Sequence, residues 1–435
     1  MNRNEQDRDG TAGDTREPIE SAVLIGVQLP SESDEEAVES LCELEALAMT
    51  AGARVASTLL QRRKSYDSAT VLGAGKVREA ATVVESHDAN LVILNNELSV
   101  AQQDRLESLL GVRVIDRTAL ILDIFAQHAH TREGRTEVEL AQLSYMLPRI
   151  RGKGLELSRI GGGIGTRRGP GETQLEVDRR RIRGRMRKLE GDLDQMEAVR
   201  ATQRKQRTRA GLPSVCLVGY TNSGKSTLLN RLTGASVLVE DRLFSTLDST
   251  TRRLLLPDGR KAVLSDTVGF IRKLPHELVA AFRSTLEVVR EADLLVHVLS
   301  AVGEETLLER MRAVDGVLAD LGASDIPVVL ALNKSDLLEP LELAALRRRY
   351  PEALLASALA GDGVDTVMDA IGSRLEGPAR IALSIPAEEG SVLASVYRDG
   401  SVVKKEIAGD SILVLADIPT DKVGRFKKFE IPDFK

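Results

Sequence analysis

Short apolar runs alternate with amphipathic stretches over the first quarter of the chain. The apolar runs that predict strands are SAVLIGVQL, ARVASTLL, NLVILN and VRVID, with helical patterns between and after them. One helical pattern extends from Asp34 to Thr50, with Asp34 as the candidate cap. Because such alternation is typical of a sheet covered by helices, we predict a small N-terminal α/β domain over residues 19–117. The acidic tail before it, residues 1–18, is too polar to build a core and is predicted to be disordered.

Two helical stretches surround a glycine-rich insert in residues 118–210. The first is predicted over 118–149, with Gly134 as a candidate break, and the second over 172–206. Apolar residues recur every seven positions in the second stretch, which predicts a coiled-coil-like seam. The seam residues are Leu175, Ile182, Met186, Leu189, Leu193 and Met196, and their predicted partners in the first stretch are Leu140, Leu143 and Leu147. We therefore predict a helical hairpin that holds the insert RGKGLELSRIGGGIGTRRGPGE.

The last two parts of the chain differ in size and pattern. Strands and helices alternate again over residues 211–375, which predicts a second, larger α/β domain. Residues 376–435 are too few for another domain of that kind. Strands are predicted there at RIALSI, SVVKKEI and SILVLADI, with one helix near 389–397. This pattern predicts a small α+β domain.

Composition limits the classes of protein that fit this organisation. The chain has 435 residues, is 42% hydrophobic and has 3% aromatic residues with no Trp. This length requires several cores, and the scarcity of aromatics argues against recognition of bases mainly by stacking. No apolar run approaches the ~20 residues of a membrane helix, and the polar N-terminus lacks the apolar segment of a signal peptide. Cys42 and Cys216 have apolar neighbours and form no CxxC pair, which predicts reduced core cysteines in a cytoplasmic protein.

Charge is distributed unevenly along the chain. The net charge is −6, but residues 1–45 carry 3 basic and 13 acidic side chains, whereas residues 149–210 carry 18 basic and 8 acidic ones. RNA attracts clustered Lys and Arg through counterion release, and a Gly-rich loop can follow an irregular RNA surface with its backbone. We therefore predict RNA contact by the insert, with Arg159, Arg167 and Arg168 as the candidate residues. The alternative is that the basic residues of the second helix only solvate the face of a coiled coil.

The stretch GYTNSGKST fits the pattern GxxxxGK[ST]. It follows the apolar run VCLV and precedes the apolar helical run LLNRL. In such a loop, glycines let the backbone N–H groups point inward, and the following helix adds the positive charge of its N-terminus. Lys225 is placed to neutralise the charge of the β- and γ-phosphates, and the Ser226 hydroxyl to bind Mg²⁺. The sequence therefore predicts a nucleoside triphosphate site.

Guanine recognition is predicted from NKSD, which follows the apolar run IPVVLAL. The carboxylate of Asp336 can accept hydrogen bonds from N1–H and the 2-amino group of guanine, neither of which adenine offers. Asn333 and Lys334 belong to the same motif. Ser357 and Ala358, after the strand-like EALLA, are predicted to supply the last contacts to the edge of the base.

Between these two motifs lies DTVGF, whose Asp266 ends the apolar run KAVLS. Asp266 is predicted to hold Mg²⁺ through water, and the Gly269 N–H to meet the γ-phosphate, so that this segment senses hydrolysis. The preceding FSTLDSTTR lies where a mobile first switch is expected. Thr246 is our candidate for the second Mg²⁺-binding hydroxyl. Thr250 and Thr251 are competitors that the spacing alone does not separate.

Two further residues bear on hydrolysis. Phe270 follows Gly269 at the place where many Ras-like GTPases carry a Gln that positions water, so the intrinsic rate is expected to be low unless another group or a partner orients the water. Asn222 offers an oxygen that could bind K⁺ beside the phosphates. The alternative is that it only bonds to the loop backbone. The predicted catalytic residues are Lys225, Asn222 and Gly269.

The order GYTNSGKST, FSTLD, DTVGF, NKSD and SALA resembles that of translation-factor-related GTPases. Together with the upstream GGGIGTRRGPGETQLEVDRRRIR, it makes the chain resemble the HflX family over about residues 20–375, and more loosely over the C-terminal part. The resemblance implies an α/β protein: a P-loop GTPase domain with a mainly parallel sheet, preceded by a small α/β domain and a helical-hairpin linker and followed by a small α+β domain. It also implies GTP hydrolysis, binding to the large ribosomal subunit, and separation of ribosomal subunits under stress.

The same resemblance assigns contacts to particular residues. It assigns Mg²⁺ binding to Ser226 and Thr246. Nucleotide contacts fall on Gly219, Tyr220, Thr221, Asn222, Ser223, Gly224, Lys225, Ser226, Thr227, Phe244, Ser245, Thr246, Leu247, Asp248, Asp266, Thr267, Val268, Gly269, Asn333, Lys334, Ser335, Asp336, Ser357 and Ala358. We expect a monomer without integral membrane association. The alternatives are a GTP-binding switch that acts on a protein partner, and an RNA-remodelling NTPase, against which NKSD argues.

Overall fold

The computed structural model describes residues 20–150, 174–209, 212–235, 243–244, 246–272, 283–375, 379–418 and 420–432 of the chain. The predicted acidic tail and the glycine-rich insert with its three candidate arginines lie outside these residues. The chain divides into two compact units, with the boundary between Leu120 and Ile121. None of the helices described is long and apolar enough to cross a membrane.

The first unit alternates strands and helices along the chain, as predicted. Its elements are β1 Ser21–Gln28, α1 Asp34–Thr50, β2 Arg54–Arg62, α2 Ala74–Ser86, β3 Leu91–Leu94, α3 Val100–Leu110 and β4 Arg113–Asp116. The strands are parallel in the order β2-β1-β3-β4. The central strand β1 is buried along its whole length, and its Val23 and Ile25 pack in one core with Val77 of α2 and Leu106 of α3. The predicted N-terminal α/β fold is confirmed.

Two details of α1 differ from the sequence predictions. The cap is Ser33, not Asp34: the Ser33 hydroxyl accepts a hydrogen bond from the Glu36 N–H at 3.1 Å, and the Glu36 carboxylate accepts one from the Ser33 N–H at 2.7 Å. This reciprocal pair satisfies two N–H groups at the start of the helix. Cys42 is exposed, because the buried face of α1 carries its neighbour Leu41 instead. Cys216 is buried as predicted, and burial raises the pKa of its thiol.

Three helices follow, and two of them form the predicted hairpin. They are α4 Arg117–His128, α5 Arg132–Arg149 and α6 Gln174–Arg209. α5 and α6 pack against each other, and along the predicted seam Leu189 is buried while Ile182, Met186 and Met196 are half-buried. The break between α4 and α5 lies at residues 129–131, close to the predicted position near Gly134. Thr131 caps α5 there, because its hydroxyl accepts a hydrogen bond from the Gly134 N–H at 3.0 Å.

The next part of the chain forms the mainly parallel sheet that was predicted. Its elements are β5 Ser214–Gly219, α7 Lys225–Thr233, β6 Thr250–Leu255, β7 Lys261–Asp266, α8 Arg283–Arg290, β8 Leu294–Ser300, α9 Glu304–Asp320, β9 Val328–Asn333, α10 Pro340–Arg349, β10 Leu354–Leu355 and α11 Val364–Arg374. The strand order is β10-β9-β8-β5-β7-β6, and β6 is antiparallel to β7 while the other pairs are parallel. The carboxyl ends of β5, β7, β9 and β10 therefore meet at one edge of the sheet. Since GYTNSGKST, DTVGF, NKSD and SALA lie at these strand ends, the fold brings the four motifs together.

The C-terminal part is rich in antiparallel sheet. Its elements are β11 Ala379–Pro386, α12 Gly390–Asp399, β12 Ser401–Ala408, β13 Ser411–Ile418, α13 Thr420–Val423 and β14 Glu430–Ile431. The strand order is β12-β13-β11-β14. Leu383 of β11, Val414 of β13 and Val396 of α12 are buried in one core. The predicted α+β arrangement is confirmed.

Candidate nucleotide-binding site

The loop after β5 requires glycine at two positions. Gly219 and Gly224 have φ angles of 149° and 87°, which side chains rarely adopt. A Cβ at Gly219 would lie 2.0 Å from the Val298 carbonyl oxygen, and one at Gly224 would lie 2.2 Å from the Nδ2 of Asn333. The loop therefore packs tightly against β8 and the end of β9. α7 begins directly after it at Lys225, with its N-terminal N–H groups at the same edge of the sheet.

Lys225 is buried beneath this loop. Its Nζ donates hydrogen bonds to the carbonyl oxygens of Gly219 at 3.2 Å and Tyr220 at 2.9 Å. Burial lowers the pKa of Lys225 to about 8, although the nearby Asp266 opposes that change. An ammonium held in so little water is well placed to meet an anionic ligand, because the low local polarity strengthens charge–charge attraction.

Three oxygen-bearing side chains converge at the start of α7. The Ser226 hydroxyl donates a hydrogen bond to the Oδ2 of Asp266 at 2.5 Å and lies 2.7 Å from the Thr246 hydroxyl oxygen. Burial raises the pKa of Asp266. Hydroxyl and carboxylate oxygens are the donors that Mg²⁺ prefers, so this cluster fits that ion. The competing Thr251 lies on β6, where its hydroxyl is 3.0 Å from the Ser265 hydroxyl.

At the other end of the site, Asn333 joins two motifs. Its Nδ2 donates to the Ser223 carbonyl oxygen at 2.9 Å, and its Oδ1 accepts from the Ala358 N–H at 2.9 Å. The Asn333 side chain thus fixes the loop after β5 relative to SALA. Ser357 was expected to contact the base edge. Its side chain is instead fully buried, and its hydroxyl accepts a hydrogen bond from the Ala360 N–H at 2.9 Å.

The four motifs line a cavity of about 340 Å³. The predicted residues that line it are Thr221, Asn222, Gly224, Lys225, Ser226, Thr227, Phe244, Thr246, Thr267, Gly269, Asn333, Lys334, Asp336 and Ala358. The predicted residues within the described parts that do not line it are Gly219, Tyr220, Ser223, Leu247, Asp248, Asp266, Val268, Ser335 and Ser357. Ser245 lies outside the described residues.

Leu337 and Leu359 also line the cavity, and the sequence analysis missed them. Each directly follows a predicted motif residue, Asp336 or Ala358, and this position was the available signal. Their side chains are 64% and 78% exposed. Both leucines therefore add apolar surface to the cavity that Asp336 also lines.

DTVGF is held against the loop after β5 by backbone contacts. The Phe270 N–H donates to the Gly219 carbonyl oxygen at 3.0 Å, and the Thr221 N–H donates to the Phe270 carbonyl oxygen at 2.7 Å. A Cβ at Gly269 would lie 2.5 Å from the Thr221 Cα, so no side chain fits there. The Phe270 ring is fully buried and does not line the cavity. Phe270 therefore has no means of orienting water.

Asn222 lines the cavity and has a φ of 55°. Its Oδ1 accepts a long hydrogen bond, 3.4 Å, from the Nζ of Lys334. The structure therefore gives this oxygen a side-chain partner from NKSD rather than the backbone partner that was one of the two expectations.

Asp248 does not reach the cavity, contrary to the sequence expectation. Its Oδ2 accepts hydrogen bonds from the N–H groups of His130 and Thr131, both at 2.8 Å, and its Oδ1 accepts one from the Thr131 hydroxyl at 2.5 Å. Both carboxylate oxygens are thus used at the start of α5. The physical reason is that a helix N-terminus offers unpaired N–H groups and a partial positive charge.

Family models match three consecutive parts of the chain. They are described as GTP-binding GTPase N-terminal, over residues 38–126, GTP-binding GTPase middle region, over 128–207, and 50S ribosome-binding GTPase, over 214–334. These matches cover most of the described fold.

Curated proteins named GTPase HflX are similar over much of the chain. The one from Caldanaerobacter subterraneus subsp. tengcongensis is 46% identical over 95% of this chain and 94% of its own length. The one from Alkalihalophilus pseudofirmus is 52% identical over 73% of this chain and 74% of its own. Among solved structures, a GTP-binding protein from the hyperthermophilic archaeon Sulfolobus solfataricus in complex with GDP is 25% identical, with 82% of this chain and 98% of that chain covered and a TM-score of 0.42.

Proposed function

The chain belongs to the HflX family of GTPases and is itself a GTPase, and from this premise we propose that it acts on the ribosome. In this proposal it binds the large ribosomal subunit in the cytoplasm and splits or rescues ribosomes under stress. The nucleotide state sets its affinity for the ribosome. It acts as a monomer with Mg²⁺ as cofactor.

The observation that carries the nucleotide-dependent part of the proposal is the oxygen cluster of Ser226, Thr246 and Asp266. Thr246 comes from the first switch, Ser226 from the phosphate loop and Asp266 from the segment that senses hydrolysis. In our proposal Ser226 and Thr246 hold Mg²⁺ directly, and Asp266 holds it through water. Mg²⁺ bound there would neutralise charge on the phosphates. A site that joins both switches to the nucleotide lets GTP and GDP favour different conformations.

The roles of the remaining residues follow from their positions. Lys225 and the N–H groups of the loop and of α7 bind the phosphates, and the Gly269 N–H contacts the γ-phosphate. Asp336 binds the N1–H and 2-amino group of guanine, between Leu337 and Leu359. Asn333 holds the loops in register rather than binding the base itself.

In this proposal the attacking water is oriented by groups other than Phe270, because the Phe270 ring is buried. We propose that Asn222 helps to bind K⁺ beside the phosphates, since its side chain lines the cavity. The ribosome supplies the rest of the activation. Without it, hydrolysis is slow.

The ribosome as partner is supported by two features. The family model over residues 214–334 is described as a 50S ribosome-binding GTPase. Residues 149–210 carry 18 basic and 8 acidic side chains, and within the described part of α6 Arg180, Arg181, Arg183 and Arg187 are exposed. We propose that Arg159, Arg167 and Arg168 contact ribosomal RNA.

The test is co-sedimentation with purified large subunits at increasing salt, with Mg²⁺ and a non-hydrolysable GTP analogue. Replacing Arg159, Arg167 and Arg168 with Ser should weaken sedimentation and flatten its salt dependence, because fewer counterions are released. GTP affinity should not change. A matched control replaces Arg347, Arg348 and Arg349 of α10 with Ser. If the first variant sediments with the large subunit as well as the wild type does, the insert does not contact RNA. If sedimentation of the wild type does not depend on the salt concentration, a protein partner is favoured.

A further inference from the structure

Phe244 and Asp248 of the first switch, which lie on either side of Thr246 in the sequence, contact the helices α4 and α5. Asp248 accepts hydrogen bonds from the N–H groups of His130 and Thr131 and from the Thr131 hydroxyl, at 2.5–2.8 Å. Thr131 is also the N-cap of α5. The carboxylate therefore completes the N-terminus of that helix, where unpaired N–H groups and the helix dipole both favour a negative charge.

On the other side of Thr246, Phe244 joins α4 to the phosphate loop. Its ring meets the Phe125 ring of α4 edge-on, with the centroids 4.8 Å apart. Its N–H donates to the Thr221 hydroxyl at 2.9 Å. Phe244 is 2% exposed and has a φ of 57°, a conformation that a bulky residue adopts only when its surroundings impose it.

Thr246 lies between these two anchors, with its hydroxyl 2.7 Å from that of Ser226. We infer that Asp248 is a positioning residue for Thr246. Through its contacts, the α4–α5 junction, residues 128–134, couples the nucleotide site to the helical hairpin. The inference rests on the proposed role of Thr246 as a Mg²⁺ ligand. When Asp248 accepts its hydrogen bonds at the α4–α5 junction, Thr246 is held in position to bind Mg²⁺·GTP. When these hydrogen bonds are lost, Thr246 is no longer held there.

The helix α6 of the hairpin contacts α5, which begins at this junction. Arg185 of α6 forms two hydrogen bonds of 2.6 Å with Glu139 of α5, and Leu189 of α6 is buried. Arg200 of α6 pairs with Glu133 in the first turn of α5 at 3.0 Å, and with Glu287 of α8 at 3.7 Å. Because α8 follows DTVGF in the chain, the base of the hairpin meets elements next to both switches. A partner bound at the hairpin can therefore change the position of Thr246 and with it the affinity for Mg²⁺·GTP. The nucleotide must then change the affinity for that partner by the same factor.

A substitution at Gly134 can disrupt the contact of Asp248 with the α4–α5 junction without changing a residue of the nucleotide site. A Cβ at Gly134 would lie 2.2 Å from the Oδ1 of Asp248, so Gly134→Ala must displace that carboxylate. Alanine favours the helix at this position. Gly191→Ala is the matched control, since it is the same substitution in α6 of the same hairpin and its Cβ would meet no atom within 4 Å.

The experiment measures the affinities of the full chain for GDP and for guanosine 5′-[β,γ-imido]triphosphate, each with Mg²⁺. Gly134→Ala should lower the preference for the triphosphate on the order of tenfold while the GDP affinity stays constant. Asp248→Ala should do the same, because it removes the carboxylate that accepts these hydrogen bonds, and Gly191→Ala should match the wild type. A merely structural defect would weaken both nucleotides equally. Equal loss for both nucleotides, or an unchanged preference in Gly134→Ala and Asp248→Ala, would overturn the inference.

Amide hydrogen exchange measures the coupling in the opposite direction, from the nucleotide to the α4–α5 junction. The amides of His130 and Thr131, which donate to Asp248, should exchange more slowly with the triphosphate analogue than with GDP in the wild type. This difference should vanish in Thr246→Val. An exchange rate that ignores the nucleotide in the wild type would also refute the coupling. Failure of the proposed function would look different, because the wild type would then show no Mg²⁺-dependent preference for the triphosphate at all.

Discussion

The hydroxyl oxygens of Ser226 and Thr246 lie 2.7 Å apart, although twenty residues separate them in the chain. The contact joins the first turn of α7 to the first switch, and the Asp266 carboxylate lies 2.5 Å from the same Ser226 hydroxyl. A hard cation that replaced these hydrogen bonds would find its oxygen ligands already close together. Mg²⁺ and the first switch are therefore expected to act together in selecting GTP.

Thr246→Val tests that expectation, because it removes the hydroxyl and keeps the shape. Hydrolysis of GTP should fall roughly tenfold to a hundredfold, as for the loss of one well-placed electrostatic group, while GDP affinity changes little. Steady-state phosphate release and nucleotide titrations measure both quantities. Thr251→Val is the control, since that hydroxyl contacts Ser265 on β7. If Thr251→Val loses hydrolysis and Thr246→Val does not, the assignment of the Mg²⁺ ligand is wrong.

Lys225→Ala should remove most of the affinity for GTP. The buried ammonium has carbonyl partners within its own loop and is expected to meet the β- and γ-phosphates when nucleotide binds. Losing such a charged contact should weaken binding at least a hundredfold, about 3 kcal/mol. Lys261→Ala, at an exposed lysine at the start of β7, serves as the control. Hydrolysis retained at the wild-type rate by Lys225→Ala would rule out its phosphate role.

Asp336→Asn should change the preferred base from guanine to xanthine. The amide can donate a hydrogen bond to the 2-oxo group of xanthine, where the carboxylate accepted one from the 2-amino group of guanine. Affinity for GTP should drop at least a hundredfold while that for XTP rises, as measured by competition against a fluorescent nucleotide. An unchanged preference for GTP would move base recognition elsewhere in the cavity.

His297 predicts a pH dependence of stability. It lies on β8 between Val218 and Leu330, is 3% exposed, and its Nε2 has no hydrogen-bond partner among the described residues. Burial, with the charge of Lys225 adding to it, lowers the pKa of His297 to about 4. Since the unfolded chain takes up this proton near pH 6.5 and the folded chain does not, stability is lost as the pH falls from 6.5 to 4, by up to about 3 kcal/mol.

His297→Leu should remove that contribution. Denaturant unfolding at pH 7 and at pH 4.5 measures the difference for both chains, and the carboxylates contribute equally to each. The variant should lose less stability on acidification than the wild type. Identical losses would mean that His297 is protonated in the folded protein.

The regular elements could be predicted from the sequence because each depends on local patterning. The run of α1 from Asp34 to Thr50 was predicted to the residue, and the strands of the first sheet and β5, β7, β9 and β10 of the second to within a few residues. β6 and β8 were not among the predicted strands. The cap of α1 is also local, because Ser33 and Glu36 form the S-x-x-E pattern that is typical of a helix start, whereas the predicted cap was Asp34. Cys42 was wrongly placed because apolar neighbours in sequence do not share a helix face.

The partner of Asp248 could not be predicted from local patterning. It lies 118 residues away, and neither His130 nor Thr131 belongs to a motif. In the same way, the sequence suggested that the Asn222 side chain binds a cation or the loop backbone. It did not indicate the hydrogen bond from Lys334, which lies 112 residues later. Contacts of this kind depend on how the elements pack, so only the structure shows them.

The central claim is that the ribosome completes a GTPase whose Phe270 cannot orient water. The most direct test is GTP hydrolysis with and without purified large ribosomal subunits, in K⁺ and in Na⁺ buffer. We expect a low rate without ribosomes, strong stimulation by large subunits, and a higher rate in K⁺ that Asn222→Ala abolishes. The absence of stimulation in both buffers would contradict the ribosomal role and leave only the GTPase.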